Sequence, residues 1–225
     1  MTLKLAVFDV DGTLVDSRDI IQKAMSEAFT KWGFKAPDYE ETRQIVGLSL
    51  YEALARLKPD ADDKLLANMV EDYKNSFIAM RTQPGFFEPM YDGALELLKD
   101  MSADGWLMGV ATGKSRRGLD TILDMHDLGD LFDTHWCADD GPGKPHPFMV
   151  QQNMDVLGCF AEQTLVIGDA TFDMLMARAA NAHAVGVSWG FGKVDELTQA
   201  GAHEVHHDFE TLRAGVHAFS EKVTA

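Results

Sequence analysis

The sequence predicts an α/β fold: a parallel sheet covered by helices on both faces, interrupted after its first strand by an all-helical insertion. Three observations carry that expectation. From about residue 92 onward, short apolar runs of strand length alternate with helix-period segments, the order that repeated βαβ units leave in a sequence. Residues 16–83 show helical periods only. Polar residues gather directly after the apolar runs, and in open α/β sheets ligands bind outside the carboxyl ends of the strands.

The elements follow in order. Residues 3–8 form a short apolar run that ends in acids, as a fully buried strand does. In the insertion, Ile20, Ile21, Ala24, Met25, Ala28, Phe29 and Trp32 make one helical stripe that stops at Gly33. Asp38 with Glu41, and Ser49 with Glu52, have capping-box spacing and predict two further helix starts. A fourth helix is predicted from 62 to 80, before the breaker Gln83-Pro84-Gly85. Strands are then expected at 106–112, 134–138, 164–168, 184–188 and 204–206. Helices are expected at 94–101, 117–125, 149–157, 172–180, 194–199 and 212–219. The insertion is read as a mobile lid over a site at the strand ends, with a packing element as the plainer alternative.

The chain has 225 residues, 36 acids against 20 bases and a formal net charge of −16. An acid excess of that size repels nucleic acid and anionic membranes, so neither is an expected partner. Two cysteines, Cys137 and Cys159, make no disulfide framework and suit a reducing, cytoplasmic compartment. No apolar run is long enough for a signal-peptide core or a membrane span.

Four expected strand ends carry chemistry. Asp9-Val10-Asp11-Gly12-Thr13-Leu14 follows the first, Thr112-Gly113-Lys114 the second, Gly143-Lys144-Pro145 the third and Gly168-Asp169-Ala170-Thr171-Phe172-Asp173 the fourth. A parallel sheet brings all four to one edge. Several carboxylates so placed repel one another unless a cation sits among them, and oxygen ligands suit a hard ion, Mg²⁺ before Zn²⁺. Beside such an ion, Lys144 neutralises charge and Thr112 donates a hydrogen bond, which makes a phosphoryl site. One carboxylate can attack phosphorus. A second, two residues along, can protonate the leaving oxygen and afterwards activate water.

These residues resemble the four signatures of the haloacid dehalogenase superfamily, and the resemblance covers essentially the whole chain. It implies a Rossmann-like core, residues 1–15 and 84–225, and a C1-type helical cap, residues 16–83. Within the superfamily the chain looks most like the phosphoglycolate phosphatase-like branch. The resemblance implies Asp9 as nucleophile and Mg²⁺ ligand, and Asp11 as general acid/base that lends its carbonyl to the metal. Thr112, Gly113 and Gly12 would meet the phosphoryl group, and Lys144 would tie Asp9 to it. Asp169 would bind the metal directly and Asp173 through water. An acid at position 11, which the name-giving dehalogenases lack, favours phosphate esters. Arg43 and the turn at Gly47 are the cap candidates for substrate contact, and Arg116 or Arg117 could meet a second anionic group.

The expected function is hydrolysis of a small phosphorylated metabolite. A phosphosugar mutase and a non-catalytic phosphate-binding protein are the rivals. Two motifs are set aside. His203-Glu204-Val205-His206-His207 spells a zinc-protease pattern, but that chemistry needs a helix, and this short segment reads as a strand. Gly141-Pro142-Gly143-Lys144-Pro145 lacks the first glycine and the hydroxyl of a nucleotide P-loop.

Overall fold

The structure is a computed structural model that describes residues 2–224. Among the described residues the sheet has six parallel strands: β1 Leu5–Phe8, β2 Leu107–Ala111, β3 Thr134–Trp136, β4 Thr164–Gly168, β5 His183–Val187 and β6 Glu204–His206. Their order across the sheet is β3-β2-β1-β4-β5-β6. The reversal of direction beside β1 puts the first strand at the centre, at the switch point where such sheets open a crevice.

Strand alternation sorts the core into two layers. Ala6, Phe8, Met108, Val110, Leu165, Ile167, Val185 and Val187 face one way. There they meet α5 Ala94–Ala103, α6 Arg116–Met125 and α10 Phe209–Thr224 through residues such as Leu97, Ile122 and Val216. Leu5, Val7, Ala111, Val166 and Ala184 face the other way, against α7 Phe148–Leu157, α8 Thr171–Ala179 and α9 Val194–Gln199. The central strands are buried on both faces, which is why they read as unbroken apolar runs.

The insertion consists of α1 Arg18–Lys31, α2 Tyr39–Arg43, α3 Leu50–Leu57 and α4 Asp63–Arg81. The capping residues act as their spacing predicts. Asp38 accepts the Glu41 N–H while Glu41 reaches back to the Asp38 N–H, and Asp62 caps α4 through the Leu65 N–H at 2.8 Å. Ile21, Met25 and Phe29 of α1 pack with Leu54, Leu66 and Met69 into a separate apolar cluster. That cluster also takes in Ala170, Phe172 and Phe191 from beside the sheet, so the cap rests on the core through shared apolar contacts.

The chain leaves and re-enters the core through a stitched neck. Val15 bridges Met90 in antiparallel fashion, the Asp16 N–H donates to Pro89 O at 2.8 Å, and the Tyr91 N–H donates to Leu14 O at 3.0 Å. Most elements start and stop within one or two residues of their predicted limits. Segment 204–206 is a strand, as expected. His203 stacks on His183, and His207 approaches the Ser188 hydroxyl, so the zinc-protease spelling has no helix to act from.

Candidate active site

Register builds the site. Phe8 lies level with Val110 on one neighbour and Ile167 on the other, so the residues that follow β1, β2 and β4 emerge side by side. Asp9 comes off the central strand with its N–H donating to Ile167 O at 2.9 Å. The chain then turns tightly, with the Leu14 and Val15 N–H groups donating to Val10 O. Gly12 makes that turn possible: its φ is +80°, and a Cβ there would stand 2.3 Å from Asp169 Oδ2. Thr112 follows β2, fully buried, and Asp169 follows β4. Asp173 sits in the first turn of α8 and accepts the Ala170 N–H at 2.9 Å, a position favoured for an acid by the helix dipole.

Asp9, Asp169 and Asp173 are buried, and one carboxylate oxygen from each lies within 4.8 Å of the others. Lys144, completely buried, places Nζ 2.8 Å from Asp9 Oδ1 and 2.6 Å from Asp173 Oδ1. These contacts are close but lack hydrogen-bond alignment, and both carboxylate oxygens and Nζ remain without a directional partner. Asp169 is held more firmly. It accepts the Thr13 hydroxyl at 2.9 Å and the Phe191 N–H at 2.7 Å.

One cation does not offset three buried acids. Burial pushes the Asp9 carboxyl up to about 7, with Lys144 opposing and Asp173 adding to the rise. Asp169 is driven well above the usual carboxylate range by burial, then by Asp9 and Asp173. Burial alone would lower the Lys144 ammonium, but Asp173 and Asp9 outweigh it and hold it above its ordinary value. A hard divalent ion fits this set. The donors are all oxygens, they converge, and two of them are buried without a directional partner.

Around this centre the structure brings together residues that sequence reasoning passed over. Lys114 Nζ lies 2.7 Å from Asp11 Oδ1 and 3.8 Å from Glu88 Oε2. Arg81, at the end of α4, holds Glu88 Oε1 at 2.9 Å, and both cations lie over the Phe77 ring. An ionic chain thus runs from Asp11 to the cap. Lys114 stands directly after Thr112-Gly113, the one local signal that could have marked it. Glu88 and Arg81 carry none, since their importance comes from contacts made across the neck.

The cleft between cap and core is lined by Asp9, Asp11, Gly47, Thr112, Gly113, Lys114 and Arg117, among others. Gly47 has φ +98°, and its carbonyl and that of Leu48 approach Gly113 so closely that a Cβ there would lie 2.8 and 2.6 Å from them. The other two arginines point elsewhere. Arg43 is buried and spends its guanidinium on Glu196, at 2.8 and 2.9 Å, and on Glu40 at 2.9 Å. It belongs to a separate depression beside Phe172 and Gly192, where it ties the cap to α9. Arg116 is engaged with Asp140 and His135 O. Of the three arginines singled out from sequence, only Arg117 faces the cleft.

Sheet order, inserted helices and buried carboxylates together define a class: Rossmann-like hydrolases that work at strand ends beneath a helical cap. The family description "Haloacid dehalogenase-like hydrolase" matches residues 6–187, and the chain belongs to that family. It is 32% identical over 218 residues to "Probable phosphatase IndB" of Dickeya dadantii, covering 95% of this chain and 94% of the relative. It is 28% identical over 214 residues to the phosphoglycolate phosphatase of Colwellia psychrerythraea, covering 93% and 95%. Among solved structures, a hydrolase from Pseudomonas syringae superposes with a TM-score of 0.86 at 26% identity, covering 96% of this chain and 98% of that one.

Proposed function

We propose that this chain is a Mg²⁺-dependent phosphatase that hydrolyses a small phosphorylated metabolite through an aspartyl-phosphate on Asp9. The observation that carries the reading is the convergence of Asp9, Asp169 and Asp173 around Lys144 at the carboxyl edge of the sheet. Membership in a hydrolase family whose similar relatives include phosphatases supports it.

Asp9, Asp169 and Asp173 would hold the ion, with Asp11 contributing its carbonyl. When bound, the ion supplies positive charge that lets an anionic carboxylate approach an anionic phosphoryl group. Asp9 Oδ attacks phosphorus as the bond to the alcohol oxygen breaks. Lys144, the Thr112 hydroxyl and the Gly113 N–H would face the charge that develops on the equatorial oxygens, the interaction that most lowers such barriers, whereas the Gly12 N–H is already committed to Val15 O at 2.9 Å. Asp11, two residues from the nucleophile on a rigid turn, gives its proton to the departing alkoxide. It then takes one from the water that cleaves the acyl phosphate. The cap, residues 16–83, would exclude bulk water during the first step, and residues 1–15 with 84–225 would carry the chemistry. Arg43 has no part in this account, because its guanidinium is already shared between Glu40 and Glu196.

Phosphate release from p-nitrophenyl phosphate tests the reading. Activity should require Mg²⁺, vanish with EDTA and be absent from Asp9→Asn. Turnover that survives chelation would overturn the metal assignment, and turnover by Asp9→Asn would overturn the nucleophile. Sugar isomerisation in the presence of a sugar bisphosphate, without phosphate release, would mark a mutase instead. No helix among the described residues is long and apolar enough to cross a membrane, and both cysteines are buried and unbridged, which supports a reducing, cytoplasmic setting.

A further inference from the structure

The cleft above the carboxylates is much larger than a phosphoryl group requires. It encloses about 820 Å³, towards the top of the roughly 300–1,000 Å³ range of pockets that hold drug-sized ligands. Its two walls differ in chemistry. On the cap side, Val70, Tyr73, Phe77 and Ile78 recur along α4 at helical spacing and form one apolar face toward the cleft. None of the four is fully buried: Val70, Tyr73 and Phe77 pack against the cap cluster that includes Leu66 and Met69 while still lining the cleft, and Ile78 lines it without belonging to that cluster. The Tyr73 and Phe77 rings lie 5.3 Å apart at a 38° tilt; Arg81 and Lys114 lie over the Phe77 ring, which leaves Val70, Tyr73 and Ile78 as the part of the stripe offered to a ligand. On the opposite side, the start of α6 presents Arg117 and Thr121.

We infer that the substrate is a phosphate monoester of an alcohol that carries a planar ring, seated with its face on the α4 stripe and its polar edge toward α6. The inference rests on the phosphatase reading above, which puts the phosphoryl group over Asp9. A two-carbon acid such as glycolate has no surface to lay on Val70 or Ile78 and would leave that wall in water. A ring of phenyl size that covers the wall gains about tenfold to a hundredfold in affinity from the area removed from water.

The test compares benzyl phosphate with ethyl phosphate, both esters of primary alcohols, so that ring contact and not leaving-group chemistry separates them. With Mg²⁺ present, benzyl phosphate should have a KM lower by about tenfold or more. Ile78→Asp should collapse the benzyl-to-ethyl ratio of kcat/KM toward one. The same pair is titrated calorimetrically into Asp9→Asn, where benzyl phosphate should again bind more tightly by about tenfold. Equal affinities there, or a ratio that Ile78→Asp leaves intact, would overturn the inference and mean that the apolar face of α4 serves only to close on the core. If neither ester turns over, the phosphatase reading fails, while the calorimetric comparison still decides whether the wall receives a ring.

Discussion

Replacing Asp9 by asparagine should strengthen the metal-free protein in alkaline solution while ending its turnover. Burial, opposed by Lys144 and reinforced by Asp173, pushes the Asp9 carboxyl from its ordinary 3.8 up to about 7. The folded chain therefore keeps a proton on Asp9 at pH values where the unfolded chain has lost it. Stability linked to that proton is complete below the unfolded value and is lost as pH rises through about 7. An interval of about three pH units corresponds to about 4 kcal/mol. Asparagine cannot ionise and escapes that cost, which already includes the opposing attraction of Lys144, and Lys144 keeps Asp173 at 2.6 Å. The net gain near pH 8 should be about 2–4 kcal/mol, or about 4–16 °C in Tm for a chain of this length. Near pH 4, where the unfolded carboxyl also holds most of its proton, the gap should shrink below about 1 kcal/mol. Circular dichroism melts in EDTA at the two pH values measure the difference, and excess Mg²⁺ should reverse the order, since the wild type alone retains all three carboxylates. A gap that is the same at both pH values, or a variant that is weaker only in alkali, would refute the claim that burial holds the proton on Asp9.

Three other substitutions probe separate parts of the molecule. Lys144→Met leaves Asp9 and Asp173 buried without their cation and should cost about 3–5 kcal/mol in metal-free protein near pH 8. The loss should be smaller near pH 5, where Asp9 is protonated, and chemical denaturation at both pH values reads it. Arg43→Met removes the paired contacts to Glu196 and the contact to Glu40, with an expected loss of about 2–3 kcal/mol. Its KM for ethyl phosphate should stay within about twofold, because Arg43 lines no part of the cleft that holds Asp9 and Asp11. Gly113→Ala puts a methyl group 2.6 Å from Leu48 O and must lift the cap turn off the core. We expect at least a tenfold fall in kcat/KM, roughly the penalty of a misplaced reacting group, and a stability loss of about 1–3 kcal/mol, because the atoms met are backbone.

What could be read from sequence was whatever is local. Strand runs such as Val7-Phe8 and Val166-Ile167 are apolar because both faces are covered, and that property is visible without a partner strand. Asp38 and Glu41 announce α2 because a capping box is complete within four residues. Asp9, Thr112, Lys144 and Asp169 could be listed as strand-end polar groups, and parallel pairing then puts them at one edge. The pairing β5–β6 at the far side and the position of β1 at the centre depend on packing among distant segments, so no window of sequence holds them. The same applies to the partners of those acids. The Phe191 N–H that fixes Asp169 lies 22 residues away, and the Glu196 that claims Arg43 lies 153 residues away. Arg43 illustrates the limit well: its charge suggested an anionic substrate, yet two glutamates reach it first.

The stitched neck at Val15 and Met90 has a consequence for how such a molecule can change. The two ends of a long excursion stand a hydrogen bond apart, as the arms of a hairpin do. Swapping that excursion for a shorter or a longer one would move neither arm, and the entropy of closing it grows only slowly with length. Asp9, anchored six residues before the junction and tied to β2 and β4 through its own strand, would not register the exchange. The neck thus works as a socket: the helical excursion can be replaced as a unit while Asp9 and the strand ends around it stay where they are.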